Sequence, residues 1–136
     1  MSEIRIEAIQ SRQGKRVMFA TRVDYRFLQD AKLEADASSE RRSQRELDPV
    51  HARLITNYIT KNPDDYVLGS LCFALEGRYE FTPFKDDSDA GILIIPEGSH
   101  VWSVDGQHRR QGFLNALEKV PVLSSDKIAV VIYVEP

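Results

Sequence analysis

The stretch 100-HVWSVDGQHRRQGFLNAL-117 decides how this chain is read. An apolar run, Val101 to Val104, stops at Asp105-Gly106. Gln107, His108, Arg109 and Arg110 follow, and then Phe113, Leu114, Ala116 and Leu117 at helical spacing, so the pattern predicts strand, tight turn, helix. The first N–H groups of a helix have no internal acceptor and the dipole favours negative charge there, so such a turn is a ready anion site. Gly106 lets a ligand approach the backbone, and arginine suits bidentate phosphate contact. Cationic side chains at a helix start oppose the dipole, a local penalty that is easier to understand with an anion among them. Asp105 fits less simply: it could cap the helix, hold Mg²⁺ or orient a water as a base. The plain alternative is a capping aspartate, a flexible glycine and a solvated first turn, and spacing alone does not separate the two. The motif lacks both GxxxxGK[ST] and GxGxxG.

The elements on either side set a fold class. Residues 3–10 alternate in polarity and 15–23 read as a second strand, with Gln13-Gly14 between them, which predicts an N-terminal hairpin. Residues 32–46 are polar and read as a mobile loop or frayed helix. Asp48 is a good N-cap and Pro49 suits the first helical position. Leu47, Val50, Leu54, Ile55, Tyr58 and Ile59 then follow helical spacing until Asn62-Pro63 stops the helix. Tyr66 to Leu75 reads as a strand, 78-RYEF-81 as another, and 85-KDDSDAG-91 as a solvated acidic loop. Apolar runs at 92–95, 101–104 and 128–134 complete the set, and the last reads as a central strand buried on both faces. Helices interspersed with such strands predict an α/β or mixed α+β sheet in one domain spanning residues 1–136.

Composition excludes several classes. Of 136 residues, 42% are hydrophobic and 29% charged, which is ordinary for a globular domain, and the net charge of -3 excludes a uniformly basic nucleic-acid binder. DNA contact would need a local basic patch. No run is long enough to span a membrane, and the N-terminus has no signal-peptide core. The one cysteine, Cys72, cannot form an internal disulfide, so a cytoplasmic location is expected.

A second constellation is 40-ERRSQRELDPVHAR-53, where Arg41, Arg42, Arg45 and Arg53 cluster among acids. Phosphate contact is one reading; a solvated loop before a capped helix is the favoured one when the segment is taken alone. Three dispersed histidines and one cysteine give no zinc spacing. His51 reads as a surface residue, Cys72 and Trp102 as core, and Tyr25 and Phe27 as core or edge packing residues in preference to a base-stacking role.

Taken together, 105-DGQHR-109, 43-SQRELDP-49, Ile59, 62-NPDDYV-67 and the strand 128-IAVVIYV-134 resemble the DGQHR-domain family, whose DndB-like members are associated with DNA phosphorothioate modification. The resemblance covers roughly residues 40–134 and is looser before them. The layout is also similar to the ParB and sulfiredoxin fold. That resemblance implies a nucleotide site in which Gly106, His108 and Arg109 hold phosphates. Arg110, Arg42, Gln44 and Arg45 would assist, and the ligand would be ATP or another nucleotide with Mg²⁺. Gln107 stands where sulfiredoxin has its reactive cysteine, so sulfinic-acid reduction is rejected. DndB-like proteins are longer, so the resemblance admits two readings, the N-terminal part of such a protein or a naturally short one.

Three functions follow as expectations. The first is a nucleotide-binding, ATP-hydrolysing domain of a DNA sulfur-modification or anti-phage system, with Asp105, Gln107 and His108 as catalytic candidates and Asp105 as the metal ligand. The second is a DNA-binding regulator of modification genes acting through the basic patch. The third, weakest for want of convergent acids, is a ParB-like nuclease. The expected partners are a nucleotide and DNA, with no membrane; self-association stays open.

Overall fold

A computed structural model describes residues 2–31 and 47–135. The segment 32–46 carries Arg41, Arg42, Gln44 and Arg45, so the expectations placed on these four residues lie outside the described residues. The elements run β1 (Ile4–Gln13), β2 (Arg16–Val23), α1 (Tyr25–Asp30), α2 (Pro49–Lys61), β3 (Leu71–Glu76), β4 (Glu80–Pro83), β5 (Ala90–Ile95), β6 (His100–Asp105), α3 (Gln107–Lys119), a 3₁₀ turn (Pro121–Ser125) and β7 (Ile128–Val134). The seven strands form one mixed sheet in the order β4-β5-β1-β2-β7-β3-β6. Among the described residues only β3 and β7 pair in parallel; every other pair is antiparallel. This is the mixed α/β class expected.

The helices share one core with the sheet. Leu71, Phe73 and Leu75 of β3 and Val130 and Ile132 of β7 meet Phe27 and Leu28 of α1, Ile59 of α2 and Phe113 and Ala116 of α3. Phe27 meets Phe73 edge-on at 5.2 Å, in keeping with the packing role expected of it. The opposite face carries a smaller cluster, Ala74 and Trp102 with Val104 and Tyr133. Trp102 is thus buried, as expected, but apart from the main core.

The N-terminal hairpin and α2 form as predicted. The Asp48 side chain accepts from the Val50 N–H at 3.0 Å, and Pro49 opens the helix. Three expectations need correction. The strand read over 66–75 begins only at Leu71: Tyr66 and Val67 are held instead by side-chain hydrogen bonds, Tyr66 Oη to Asp126 and Val67 N–H to Tyr58 Oη. The strand β7 is central, between β2 and β3, but Ala129 is exposed and Val131 and Tyr133 are half-buried, so only one of its faces is in the main core. His100 opens β6 rather than preceding it. The short helix α1, capped by Asp24 through the Arg26 N–H at 3.0 Å, was not anticipated.

Candidate functional site

The turn after β6 forms the floor of a groove. Gly106 is the N-cap of α3 and takes φ 95°, a left-handed conformation that favours glycine. A Cβ there would lie 2.6 Å from Leu71 Cδ2, so packing as well as dihedral demands glycine. No side chain caps α3, and the first intrahelical bond is Arg110 N–H to Gly106 O at 2.8 Å. Asp105 is therefore not the cap, which removes one of its three readings.

Arg109 lies back over this turn. A Cβ on Gly69 would meet its Nη1 at 2.7 Å, and one on Gly106 its Nη2 at 3.1 Å, so two glycines clear the space the guanidinium occupies. Its side chain is 28% exposed, and its partner among the described residues is Asp105 at 3.7 Å, whose own side chain is 78% exposed. That is an ion-pair distance rather than a hydrogen bond, and one exposed partner makes it weak. A largely covered guanidinium thus keeps most of its donor capacity beside a helix start.

His108 is buried, and its Nε2 accepts the Asp48 backbone N–H at 2.8 Å. A neutral imidazole that accepts at Nε2 carries its proton on Nδ1. This bond ties the start of α2 to the start of α3 across 60 residues of sequence. His51 stacks on His108 with ring centroids 4.5 Å apart, so two of the three histidines expected to be dispersed are neighbours. Arg110, expected among the anion ligands, turns elsewhere. It is buried, and its guanidinium donates to Leu28 O at 2.6 Å and Ala31 O at 3.3 Å, closing the end of α1. Gln107 begins α3 and is half-buried.

The groove is about 540 Å³ and is bounded by His51, Leu54, Ile55 and Tyr58 of α2, by Val67 to Gly69, and by Asp105, Gly106, His108 and Arg109. Its apolar wall escaped the sequence reading. Val50, Leu54 and Tyr58 were read only as following helical spacing, and the buried residues of α2 are Ala52, Thr56 and Ile59. Leu54 is 62% exposed and Val67 77%. An apolar stripe on α2 wider than one packing face was the available signal.

The metal expectation meets a spare donor set. Among the described residues no group of three His, Cys, Asp or Glu could hold a metal ion. Asp105 remains as a single carboxylate at the groove's edge. Cys72, opposite Asp105 in the β3–β6 register, is half-buried; burial first, and then the charge of Asp105, push its thiol pKa up. A raised pKa disfavours the thiolate. No described helix is long and apolar enough to cross a membrane.

No curated protein and no solved structure matches this chain. A family model described as DndB, DNA-sulfur modification-associated, matches residues 6–136. The match spans nearly the whole chain, both helices that wall the groove and the glycine turn between β6 and α3, and by it the chain belongs to the DndB family of DNA-sulfur modification-associated proteins.

Proposed function

We propose that the groove binds a nucleoside triphosphate, and that the chain is a nucleotide-binding domain on a ParB/sulfiredoxin-like plan. The observation that carries this reading is the pairing of two unlike surfaces in one groove: an under-used guanidinium at an uncapped helix start, and an exposed apolar wall of Leu54, Tyr58 and Val67. A phosphate alone would not need the wall, and an apolar ligand alone would not need Arg109. A nucleotide has both an anionic and a flat, weakly polar end.

In this reading Arg109 and the α3 N–H groups take phosphate oxygens. His108 acts as a positioning residue, since its Nε2 is engaged with Asp48 N–H. Mg²⁺ would arrive on the phosphates, with Asp105 as its single protein carboxylate, as Mg²⁺ sites commonly allow. When bound, the ion would supply charge neutralisation of the phosphates. Gln107 is the candidate for orienting a water in hydrolysis.

Titrating ATP, CTP and GTP with Mg²⁺ into the wild type, Arg109→Ala and Leu54→Asp tests the reading, with phosphate release followed in parallel. Both substitutions weaken binding if the groove is the site, and Asp105→Asn lowers phosphate release if the domain hydrolyses the nucleotide. Equal affinity in all three proteins removes the site.

A further inference from the structure

A second surface on the molecule has a chemistry that the groove does not use. The strand β1 pairs with β5 only over Ile4 to Ile9, and β2 pairs with β7 only from Met18 onward. Beyond Gln10, whose N–H still donates to Asp89 O at 2.8 Å, the hairpin end pairs only within itself, through Arg12 with Val17 and Gln13 with Arg16. The result is a two-stranded ribbon that projects about 7 Å past the β7 pairing and about 10 Å past the β5 side at the usual rise per residue, with Val134 and Glu135 beside its root. Its two-residue loop is Gly14-Lys15, and Gly14 takes φ 60° at the first loop position, where a tight hairpin favours glycine.

The ribbon is cationic. Residues 8–23 contain Arg12, Lys15, Arg16 and Arg22 and no acid. Arg12, Lys15 and Arg16 are exposed, and none of the three lies in an ion pair among the described residues. Pair register places Arg12 on one face of the ribbon, Arg16 on the other and Lys15 at the tip. Arg16 stands over the Tyr133 ring at 4.9 Å, which steadies its guanidinium at the root. Gln10, Ser11 and Gln13 fill the remaining positions with neutral donors and acceptors. The acids nearby are Asp89, whose carbonyl accepts the Gln10 N–H at 2.8 Å, and Glu135, which borders the same surface hollows as Lys15 and Arg16.

We propose that this ribbon is a DNA-contacting element that enters the major groove of a duplex, with cations on both faces meeting the phosphate backbones that flank it. The major groove of B-form DNA admits a two-stranded ribbon, whereas that of A-form RNA is too deep and narrow for side chains to read. In a chain whose net charge is -3, three unpaired cations on a single projecting element are otherwise self-repelling. The proposal does not depend on the nucleotide groove.

Fluorescence anisotropy of a labelled short duplex, without nucleotide, tests it in the wild type, in an Arg12→Ala/Lys15→Ala/Arg16→Ala variant and in the single charge reversal Lys15→Glu. Three phosphate contacts predict wild-type affinity that falls about 40-fold between about 50 and 200 mM salt. The triple variant flattens the slope of log affinity against log salt by about 2.7. Lys15→Glu, confined to the loop, weakens binding with an unchanged melting temperature. Arg109→Ala keeps wild-type DNA affinity, and the triple variant keeps wild-type nucleotide binding, which separates this surface from the groove. No wild-type binding at low salt, an unchanged slope in the triple variant, or equal affinity for duplex RNA or phosphatidylserine vesicles would overturn the proposal.

Discussion

Gly112→Ala sets two effects of opposite sign against each other. Gly112 lies inside α3, where exchanging glycine for alanine ordinarily stabilises by about 1 kcal/mol. Here α2 crosses close by. A Cβ on residue 112 would lie 2.5 Å from Ile55 Cγ2, 2.7 Å from Ile55 Cβ and 3.2 Å from Ala52 O. Favourable carbon–carbon contact begins near 3.5 Å, so the shortfall approaches 1 Å. Rotating the Ile55 side chain does not relieve it, because Ile55 Cβ is fixed to the backbone; the helices must separate. Overpacking of this kind costs up to about 3 kcal/mol. The net expectation is a loss of about 2 kcal/mol, or roughly 6 °C in melting temperature for a domain of this size. Separation would also strain the Thr56 hydroxyl, which donates to Ala52 O at 2.9 Å and to Gly112 O at 3.3 Å. Thermal and urea unfolding followed by far-UV circular dichroism measure the change. A variant as stable as the wild type, or more so, would refute the close crossing of α2 and α3 on which the groove depends.

Two further predictions concern buried polar contacts. Arg110→Ala removes the donors from the carbonyls that end α1 and should cost about 2–4 kcal/mol; Arg110→Lys, lacking the planar fork, should recover little of it in urea unfolding. Tyr66 donates to Asp126 at 2.5 Å, and burial first, then that hydrogen bond and the Asp126 charge, raise its pKa above the usual tyrosine range. Its stabilising contribution is therefore complete below pH 10, the ordinary tyrosine value, and is lost as pH rises beyond it. Tyr66→Phe should lose about 1–2 kcal/mol at neutral pH, and ultraviolet titration should find a tyrosine that ionises later in the wild type than in the unfolded chain.

Much of the architecture was legible because local signals agreed with the final packing. Asp48-Pro49 announced α2, Gly14 the hairpin and Asp105-Gly106 the turn, each through a backbone requirement that few residues meet. What escaped depended on partners distant in sequence. Arg110 was expected at the anion site because it adds donors at the start of α3, but successive helical positions point about 100° apart, and Arg110 faces α1. His108 was expected to meet a phosphate; its bond to Asp48 spans 60 residues, which spacing does not reveal. The apolar wall was hidden for the reverse reason: Leu54 and Tyr58 satisfy the helical period equally well as core or as an exposed groove face, and the crossing of α3 at Gly112 decides which. The alternation of Arg12 and Arg16 on the hairpin could be read early, but its projection past β5 and β7 could not.

The central claim is that Arg109 and the uncapped start of α3 form an anion site within the groove. Calorimetric titration of Mg²⁺-ATP into the wild type and Arg109→Ala tests it most directly. A charge-assisted contact of about 1.5–3 kcal/mol predicts affinity about 10- to 150-fold weaker in the variant, with unchanged thermal stability. Equal affinity in the two proteins, or no binding by the wild type, would contradict it.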